Sequence, residues 1–165
     1  GPEMKSTGEV MGIDKDFGLA YAKSQIASQN SLPTKGLAFI SLKDRHKNEG
    51  VDLAKQLVKL DFTLCGTEGT ANRIIKNGIK CKKINKVSGG SPHIIDVLNS
   101  KKIALVINTG GGKRAYRIQD STSLRRSTLI NKVPYCTNMS TAYAFLEAIK
   151  SLKTKKIEVK SLQEI

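Results

Sequence analysis

The feature that most constrains this fold is a regular alternation between short strand-like runs and stretches with helical spacing of apolar residues. The runs cover residues 37–42, 62–65, 80–84, 103–107 and 133–136. Each run is short, and the segment that separates it from the next is long enough for a helix. Strands that alternate with helices pair in parallel and need helices on both faces of the sheet. The pattern therefore predicts an α/β fold, a three-layer αβα sandwich around a five-stranded parallel sheet.

The segments between these runs predict the helices. The first helix begins at Asn48 or Glu49. The others span residues 67–77, 93–98, 122–131 and 140–152. The run at 103–107 is continuously apolar and predicts a strand at the centre of the sheet, whereas the lysine-rich run at 80–84 predicts one nearer an edge. Residues 1–33 are interrupted by glycines and end in a polar connector, so we expect a lead-in segment over 1–33 and one domain over 34–165.

The charge of the chain limits its possible partners. The formal net charge is +14, from 28 Lys and Arg against 14 Asp and Glu, and the basic residues are spread along the whole sequence. There is no Trp, and only eight residues are Phe or Tyr, so base-stacking platforms are scarce. We therefore expect no nucleic-acid partner, and an anionic small ligand or an acidic protein partner stays open. No apolar run is long enough to span a membrane.

The inventory of catalytic and metal-binding residues is thin. Three cysteines stand far apart without a CxxC pair, which predicts neither a zinc site nor a disulfide framework and suits a reducing cytoplasm. His46 and His93 have no metal-ligand spacing, and surface or capping positions are predicted for both. The sequence therefore predicts no catalytic residue, no metal site and no cofactor in this chain.

Polar side chains follow the predicted strands. In parallel sheets ligands bind beyond the carboxyl ends of the strands. Gly66, Thr67, Glu68, Gly69 and Thr70 follow the second strand and lead into a helix. Glycines allow close approach of a ligand, and the helix start offers N–H groups and a positive dipole end. This loop predicts a phosphate site, with the alternative that Thr67 only caps the helix.

The next two strand ends carry further polar residues. Lys86 follows the third strand, and Asn108 and Thr109 follow the fourth. The glycines at 110–112 do not form a Walker A loop, because Ile107 and Arg114 occupy positions where that motif needs Gly and Ser or Thr. Together with the preceding loop, these residues predict a pocket for a phosphorylated small molecule. Two further interpretations stay open: Asp120 caps a helix or contacts a ribose hydroxyl, and Arg125 and Arg126 face a phosphate or solvent.

Several motifs resemble carbamoyl-phosphate synthase. Residues 1–12 (GPEMKSTGEVMG) resemble the segment that leaves the second ATP-grasp unit of its large chain. The GTEGT loop at 66–70, the NKV motif at 85–87 with PHI at 92–94, INT at 107–109 and LRRS at 124–127 resemble its C-terminal regulatory domain. The resemblance covers essentially the whole chain. It implies the methylglyoxal synthase-like, Rossmann-like version of the predicted fold.

The resemblance also implies an effector site. In bacterial members of this family the domain binds UMP as inhibitor and IMP as activator. By motif match the effector phosphate would contact four residues: Lys47, Thr67, Thr70 and Lys86. The ribose and base would lie near three others: Asn108, Thr109 and Asp120. Thr137 matches a threonine that contacts the activator ornithine. This chain departs from the family at Gly110, where a second Thr is common, and in a glycine loop that is about two residues longer.

The same resemblance implies a larger enzyme around this domain. That enzyme makes carbamoyl phosphate from bicarbonate, glutamine nitrogen and ATP, with Mg or Mn and K, for arginine and pyrimidine synthesis in the cytoplasm. Its implied partners are the catalytic domains of the same chain and a small glutaminase subunit. The domain itself is expected to be non-catalytic. The alternative is a stand-alone methylglyoxal synthase, but Ser91 stands where that enzyme has its catalytic Asp, and Thr109 and the glycines after it replace its second carboxylate.

Overall fold

A computed structural model describes residues 32–85, 94–100, 102–110 and 115–163, with the side chains of 115–122 and 155–163 outside the description. The chain divides into two compact units, of which one is Lys35–Asn138 and the other contains the C-terminal helix. The lead-in segment predicted for 1–33 lies almost wholly outside the described residues. The boundary predicted at Thr34 therefore stays a prediction.

Strands and helices alternate through the unit Lys35–Asn138. Its strands are β1 (Gly36–Ser41), β2 (Phe62–Gly66), β3 (Lys82–Lys83), β4 (Ile103–Asn108) and β5 (Tyr135–Cys136). Its helices are α1 (Lys47–Lys59), α2 (Glu68–Lys76), α3 (Ile94–Asn99) and α4 (Ala115–Ile130), and a 3-10 turn (Asp44–His46) precedes α1. The other unit contains α5 (Met139–Gln163). No helix among the described residues is both long enough and apolar enough to cross a membrane.

The five strands form one sheet in the order β3-β2-β1-β4-β5, and every neighbouring pair is parallel. The predicted α/β fold with a five-stranded parallel sheet is confirmed. The edge position predicted for β3 is also confirmed. The prediction that the 103–107 run lies at the centre was wrong, because β1 takes that place and β4 lies beside it. A continuous apolar run indicates burial on both faces, which every interior strand shares.

The core of this unit is formed by the sheet and its helices. Phe39, Cys65 and Val106, from three neighbouring strands, are at most 1% exposed and belong to one cluster with residues of α3 and α4. On α1 the predicted apolar stripe is buried at Leu53 and Leu57. Val58, which was predicted in the same stripe, is 45% exposed, so the helical spacing predicts most of the buried face and not all of it.

Two helices are longer than the sequence pattern predicts. Helix α4 begins at Ala115, not at residue 122, so Asp120 lies inside the helix and the prediction that it caps a helix was wrong. The first turns of α4 have no regular apolar spacing that would have indicated them. Helix α5 continues to Gln163 instead of ending near 152. Lysine is a good helix former, and neither Gly nor Pro interrupts the lysine-rich continuation.

Candidate functional site

The carboxyl ends of β1, β2 and β4 bring three chain segments to one edge of the sheet. Strand β1 ends at Ser41, β2 ends at Gly66 before α2, and β4 ends at Asn108. The Thr109 N–H donates to the Ser41 carbonyl oxygen at 2.9 Å, which joins the end of β4 to the end of β1. The parallel register therefore places the start of α2 and Thr109 on either side of the turn that follows β1.

Four hydroxyl side chains meet at this turn. We call them the hydroxyl cluster: Ser41, Thr67, Thr70 and Thr109. The Thr67 hydroxyl donates to the Ser41 Oγ at 3.1 Å. The Thr70 Oγ1 accepts a hydrogen bond from the Leu42 N–H at 3.0 Å, and the Thr109 Oγ1 accepts one from the Lys43 N–H at 3.1 Å.

The three predicted threonines are buried, with Thr67 8%, Thr70 2% and Thr109 4% exposed. Each hydroxyl has one hydrogen to donate as well as its lone pairs. The backbone N–H groups of the turn use lone pairs of Thr70 and Thr109 and so fix both oxygens in place. The structure thus brings the three threonines together, as the sequence predicted, and holds two of them by the turn after β1.

Thr67 does not cap α2 with its side chain. It occupies the N-cap position with extended backbone (φ −66°, ψ 158°), and its carbonyl oxygen accepts the first helical hydrogen bond from the Ala71 N–H at 2.8 Å. Its side chain makes no capping hydrogen bond and contacts Ser41 instead. Thr67 therefore takes the predicted N-cap position, but its hydroxyl is not used for capping. The positive end of the α2 dipole is not offset by this hydroxyl.

Lys47 brings a cation to the start of α2. A β-carbon built on Gly69 would lie 2.8 Å from the Lys47 Nζ, so the ammonium group lies directly against the first turn of α2. The Lys47 side chain is 17% exposed and forms an ion pair of 2.5 Å with Asp44, which is 96% exposed. An ammonium group beside a helix N-terminus places two positive features together. Such an arrangement favours an anion between them.

Asn108 is the register partner of Ser41 at this edge of the sheet. Its Nδ2 donates to the Tyr135 hydroxyl at 3.0 Å, and its Oδ1 accepts from the Gly110 N–H at 3.1 Å. Burial raises the pKa of Tyr135, and the hydrogen bond with Asn108 opposes that shift. The Arg125 guanidinium lies 5.5 Å from the centre of the Tyr135 ring. Asn108 thus holds the start of the glycine loop, and its contact with a ribose stays a prediction.

Two residues of this site were missed by the sequence interpretation. Ser41 is the last residue of β1 and bonds to Thr67. The strand-end rule that selected Thr67 and Asn108 would have found Ser41 if it had been applied to the first strand. His46 occupies the N-cap position of α1, as the sequence predicted, but its side chain makes no capping hydrogen bond. Its Nδ1 lies 3.1 Å from the Thr109 Oγ1 instead. Nothing in the sequence indicated that contact, because His46 lies in a turn five residues beyond the strand.

The other predicted site residues are not brought to the hydroxyl cluster by the described contacts. Lys86 lies outside the described residues. Asp120 lies in the second turn of α4, and its side chain is not described. Thr137 is exposed and follows the edge strand β5. A β-carbon on Gly110 would lie 3.5 Å from the Asn108 Oδ1 and 3.7 Å from the Ser41 Oγ, which are ordinary contact distances. A β-carbon would therefore fit at position 110, so packing does not require a glycine in place of the family's threonine.

The three cysteines are free thiols. Among the described residues no group of three His, Cys, Asp or Glu side chains lies close enough to hold a metal ion. Burial raises the pKa of Cys65 to about 12 and that of Cys81 to about 11. Burial also raises the pKa of Cys136. At neutral pH all three are therefore protonated thiols, which react slowly.

We expect iodoacetamide at pH 7.5 to modify Cys81 slowly and to leave Cys65 and Cys136 unmodified in the folded chain. Cys81 is partly exposed, whereas the other two thiols are buried. Because the thiolate fraction rises as the pH approaches the pKa, labelling of Cys81 speeds up between pH 8 and pH 10. Intact-mass spectrometry of the native protein and of the Cys81→Ala control measures this order. Rapid labelling of two or more thiols without denaturant contradicts the described burial.

The fold and this edge define an α/β domain with a cationic, hydroxyl-rich site at the carboxyl end of a parallel sheet. Residues 49–137 match the family described as MGS-like domain. The chain belongs to the MGS-like domain family.

Three relatives show how much of a longer protein this chain resembles. It is 49% identical to the carbamoyl phosphate synthase large chain, C-terminal section, of Aquifex aeolicus, over 100% of this chain and 31% of the relative. It is 46% identical to the section of the same name from Methanopyrus kandleri, over 100% of this chain and 30% of the relative. It is 47% identical to the carbamoyl phosphate synthase large chain of Mesorhizobium japonicum, over 99% of this chain and 14% of the relative. The chain thus spans less than a third of the length of these relatives.

Proposed function

We propose that this chain is the effector-binding domain of a carbamoyl phosphate synthase large chain, and that its ligand is a nucleoside monophosphate such as UMP or IMP. The observation that carries the proposal is the position of the Lys47 ammonium group against Gly69, at the start of α2 and beside the hydroxyl cluster. The similarity to carbamoyl phosphate synthase large chains along the whole sequence supports the placement in that enzyme.

A phosphate group matches the chemistry of this edge. Its oxygens accept hydrogen bonds from the Lys47 ammonium, from N–H groups in the first turn of α2 and from threonine hydroxyls. Charge-assisted hydrogen bonds of this kind are shorter and stronger than neutral ones. Since the Thr70 oxygen is fixed by the backbone of the turn, little side-chain entropy is lost when this residue binds the phosphate. The site is therefore preorganised for a compact anion, which is the condition for tight binding of a small ligand.

The rest of the proposal follows the family resemblance. Lys86 would add a second cation to the phosphate, Asn108, Thr109 and Asp120 would lie toward the ribose and base, and Thr137 would contact ornithine. The surrounding enzyme would join bicarbonate, glutamine nitrogen and ATP, with Mg or Mn and K, in the cytoplasm. The catalytic domains of the large chain and a small glutaminase subunit would be its partners. The effector would act by binding two states of that enzyme with different affinity.

A methylglyoxal synthase-type lyase is not favoured. Proton abstraction next to a carbonyl needs a held base. The described carboxylates nearest this site are those of Asp44, which is 96% exposed and paired with Lys47, and Glu68, which is exposed in the first turn of α2, so neither is a buried, held base. The relatives from Aquifex aeolicus, Methanopyrus kandleri and Mesorhizobium japonicum are carbamoyl phosphate synthase large chains or sections of them.

Calorimetric titration of the 165-residue chain with UMP, IMP and inorganic phosphate tests the proposal. We expect saturable binding of at least one nucleotide, at one site and tighter than phosphate. Inorganic phosphate competes because it occupies the same cationic edge. A folded chain that binds neither nucleotide contradicts the proposal. Conversion of dihydroxyacetone phosphate to methylglyoxal would assign the lyase function instead.

Replacing Gly69 by Ala tests the position of the Lys47 ammonium group. The new β-carbon would lie 2.8 Å from the Lys47 Nζ, so the flexible end of the lysine must move by several tenths of an ångström. We expect nucleotide affinity to fall by about two- to tenfold, since charge-assisted hydrogen bonds depend on distance. The free energy of unfolding stays unchanged or rises by up to about 1 kcal/mol, because Ala favours helices more than Gly does.

Asn72→Ala is the matched control for this variant, because Asn72 is exposed in the same helix. We expect it to bind the nucleotide as tightly as the unsubstituted chain. Equal affinities of Gly69→Ala and Asn72→Ala, with both chains folded, would remove the first turn of α2 from the phosphate site.

A further inference from the structure

A second surface lies at the opposite end of α1 and α2. It is an open groove of about 1030 Å³ between the last turns of α1, the first residues of β2 and the segment that follows α2. The proposed effector site lies where both helices begin. Since α1 has 13 residues and rises about 1.5 Å per residue, about 20 Å separates its two ends. The groove is therefore distinct from the effector site, and an inference from it does not depend on the proposed function.

The floor of the groove is apolar. It contains the side chains of Val58, Phe62, Leu64, Ile75 and Ile79. Val58 and Ile75 are each 45% exposed, although both are large apolar residues on helices that otherwise bury such side chains. Adjacent exposed apolar residues in a concave surface are typical of interaction sites.

The groove is also cationic. Lys55, Lys59, Lys80 and Lys82 line it, and no Asp or Glu is among the described residues that do so. Like charges that surround an apolar surface repel one another and raise the local positive potential. A ligand that carries both apolar groups and carboxylates removes this repulsion and covers the floor at the same time.

We propose that this groove binds an acidic amphipathic peptide segment of a partner protein. Charge complementarity selects this occupant, because a second copy of the chain seated face to face would bring eight lysines together. The open, apolar floor between two helices and a strand suits a segment with spaced apolar anchors. The carboxylates of that segment pair with the lysines at the rim, where the contribution to affinity is salt-dependent.

Selection from a random 12-residue peptide library displayed on phage, against the immobilised 165-residue chain, tests this proposal. We expect the enriched peptides to combine apolar residues with Asp or Glu. Fluorescence anisotropy with the best peptide then measures affinity for Ile75→Glu and Lys55→Glu, each expected to bind at least tenfold more weakly. Raising the salt concentration from 50 to 300 mM weakens binding several-fold.

Leu129→Glu and Arg126→Glu are the matched controls. Leu129 is 74% exposed and Arg126 is exposed, and both lie on α4 outside the groove. They are expected to keep full affinity. The proposal is overturned if no peptide is enriched, if the enriched peptides lack acidic residues, or if Ile75→Glu binds them as tightly as Leu129→Glu does. A dimer in sedimentation velocity that Ile75→Glu dissociates would also overturn it and assign the groove to self-association.

Discussion

Replacing Lys47 by Ala is expected to weaken nucleotide binding by about 1.5–3 kcal/mol, which corresponds to roughly a 10- to 150-fold rise in Kd. The ammonium group lies against the first turn of α2 and is mostly buried, so water screens its interaction with a phosphate only partly. The substitution also removes the ion pair with Asp44 and leaves that exposed carboxylate near the phosphate, which adds repulsion. Calorimetric titration with UMP and IMP measures the change.

The control for this variant is Lys76→Ala, which removes an equal charge from the exposed end of α2. We expect less than a threefold effect, because Lys76 lies about two turns from the helix start and charges at that distance are screened by salt. Similar losses in both variants would mean that net charge, rather than the position of Lys47, supports binding. Unchanged affinity in Lys47→Ala would remove Lys47 from the phosphate site.

The fold was predictable because its strongest signal is periodic. Apolar runs such as Phe62–Gly66 and the stripe that includes Leu53 and Leu57 on α1 specify both the type of element and its buried face. The order of the strands was harder to predict from the sequence, because β1 and β4 are both interior strands and have similar apolar runs. Helix ends without a cap signal, such as the start of α4, were missed for the same reason: periodicity indicates faces, not boundaries.

The candidate site was predictable in part because parallel strands point their carboxyl ends to one edge. That rule predicted from the sequence alone that Thr67, Thr70 and Thr109 lie close together, as the structure has them. The prediction of Lys47 depended on the family resemblance. The rule did not identify which hydroxyls are fixed by the backbone, because those hydrogen bonds come from the irregular turn after β1. The contact between His46 and Thr109 joins residues 63 positions apart, and no local pattern encodes it.

Gly66→Ala is expected to be the most destabilising single change near the site. Gly66 is the last residue of β2 and pairs with Ile40 of β1. A β-carbon there would lie 2.5 Å from the Ile40 carbonyl oxygen and 3.8 Å from the Ala71 nitrogen. The distance of 3.8 Å is an ordinary contact, but the distance of 2.5 Å is a clash with a backbone atom that the sheet holds and that cannot move as a side chain would. We expect a loss of about 3 kcal/mol in the free energy of unfolding, measured by urea denaturation.

Gly78→Ala separates this steric effect from ordinary backbone strain. Gly78 has a positive φ of +82°, but no atom lies within 4 Å of a β-carbon built on it. Its substitution is therefore expected to cost only about 1–2 kcal/mol, the usual cost of a left-handed conformation for an L-residue. A smaller loss for Gly66→Ala than for Gly78→Ala would contradict the close approach of β1 and β2. Because β2 leads directly into Thr67, any Gly66→Ala chain that folds should also bind the nucleotide more weakly, whereas Gly78→Ala should bind it normally.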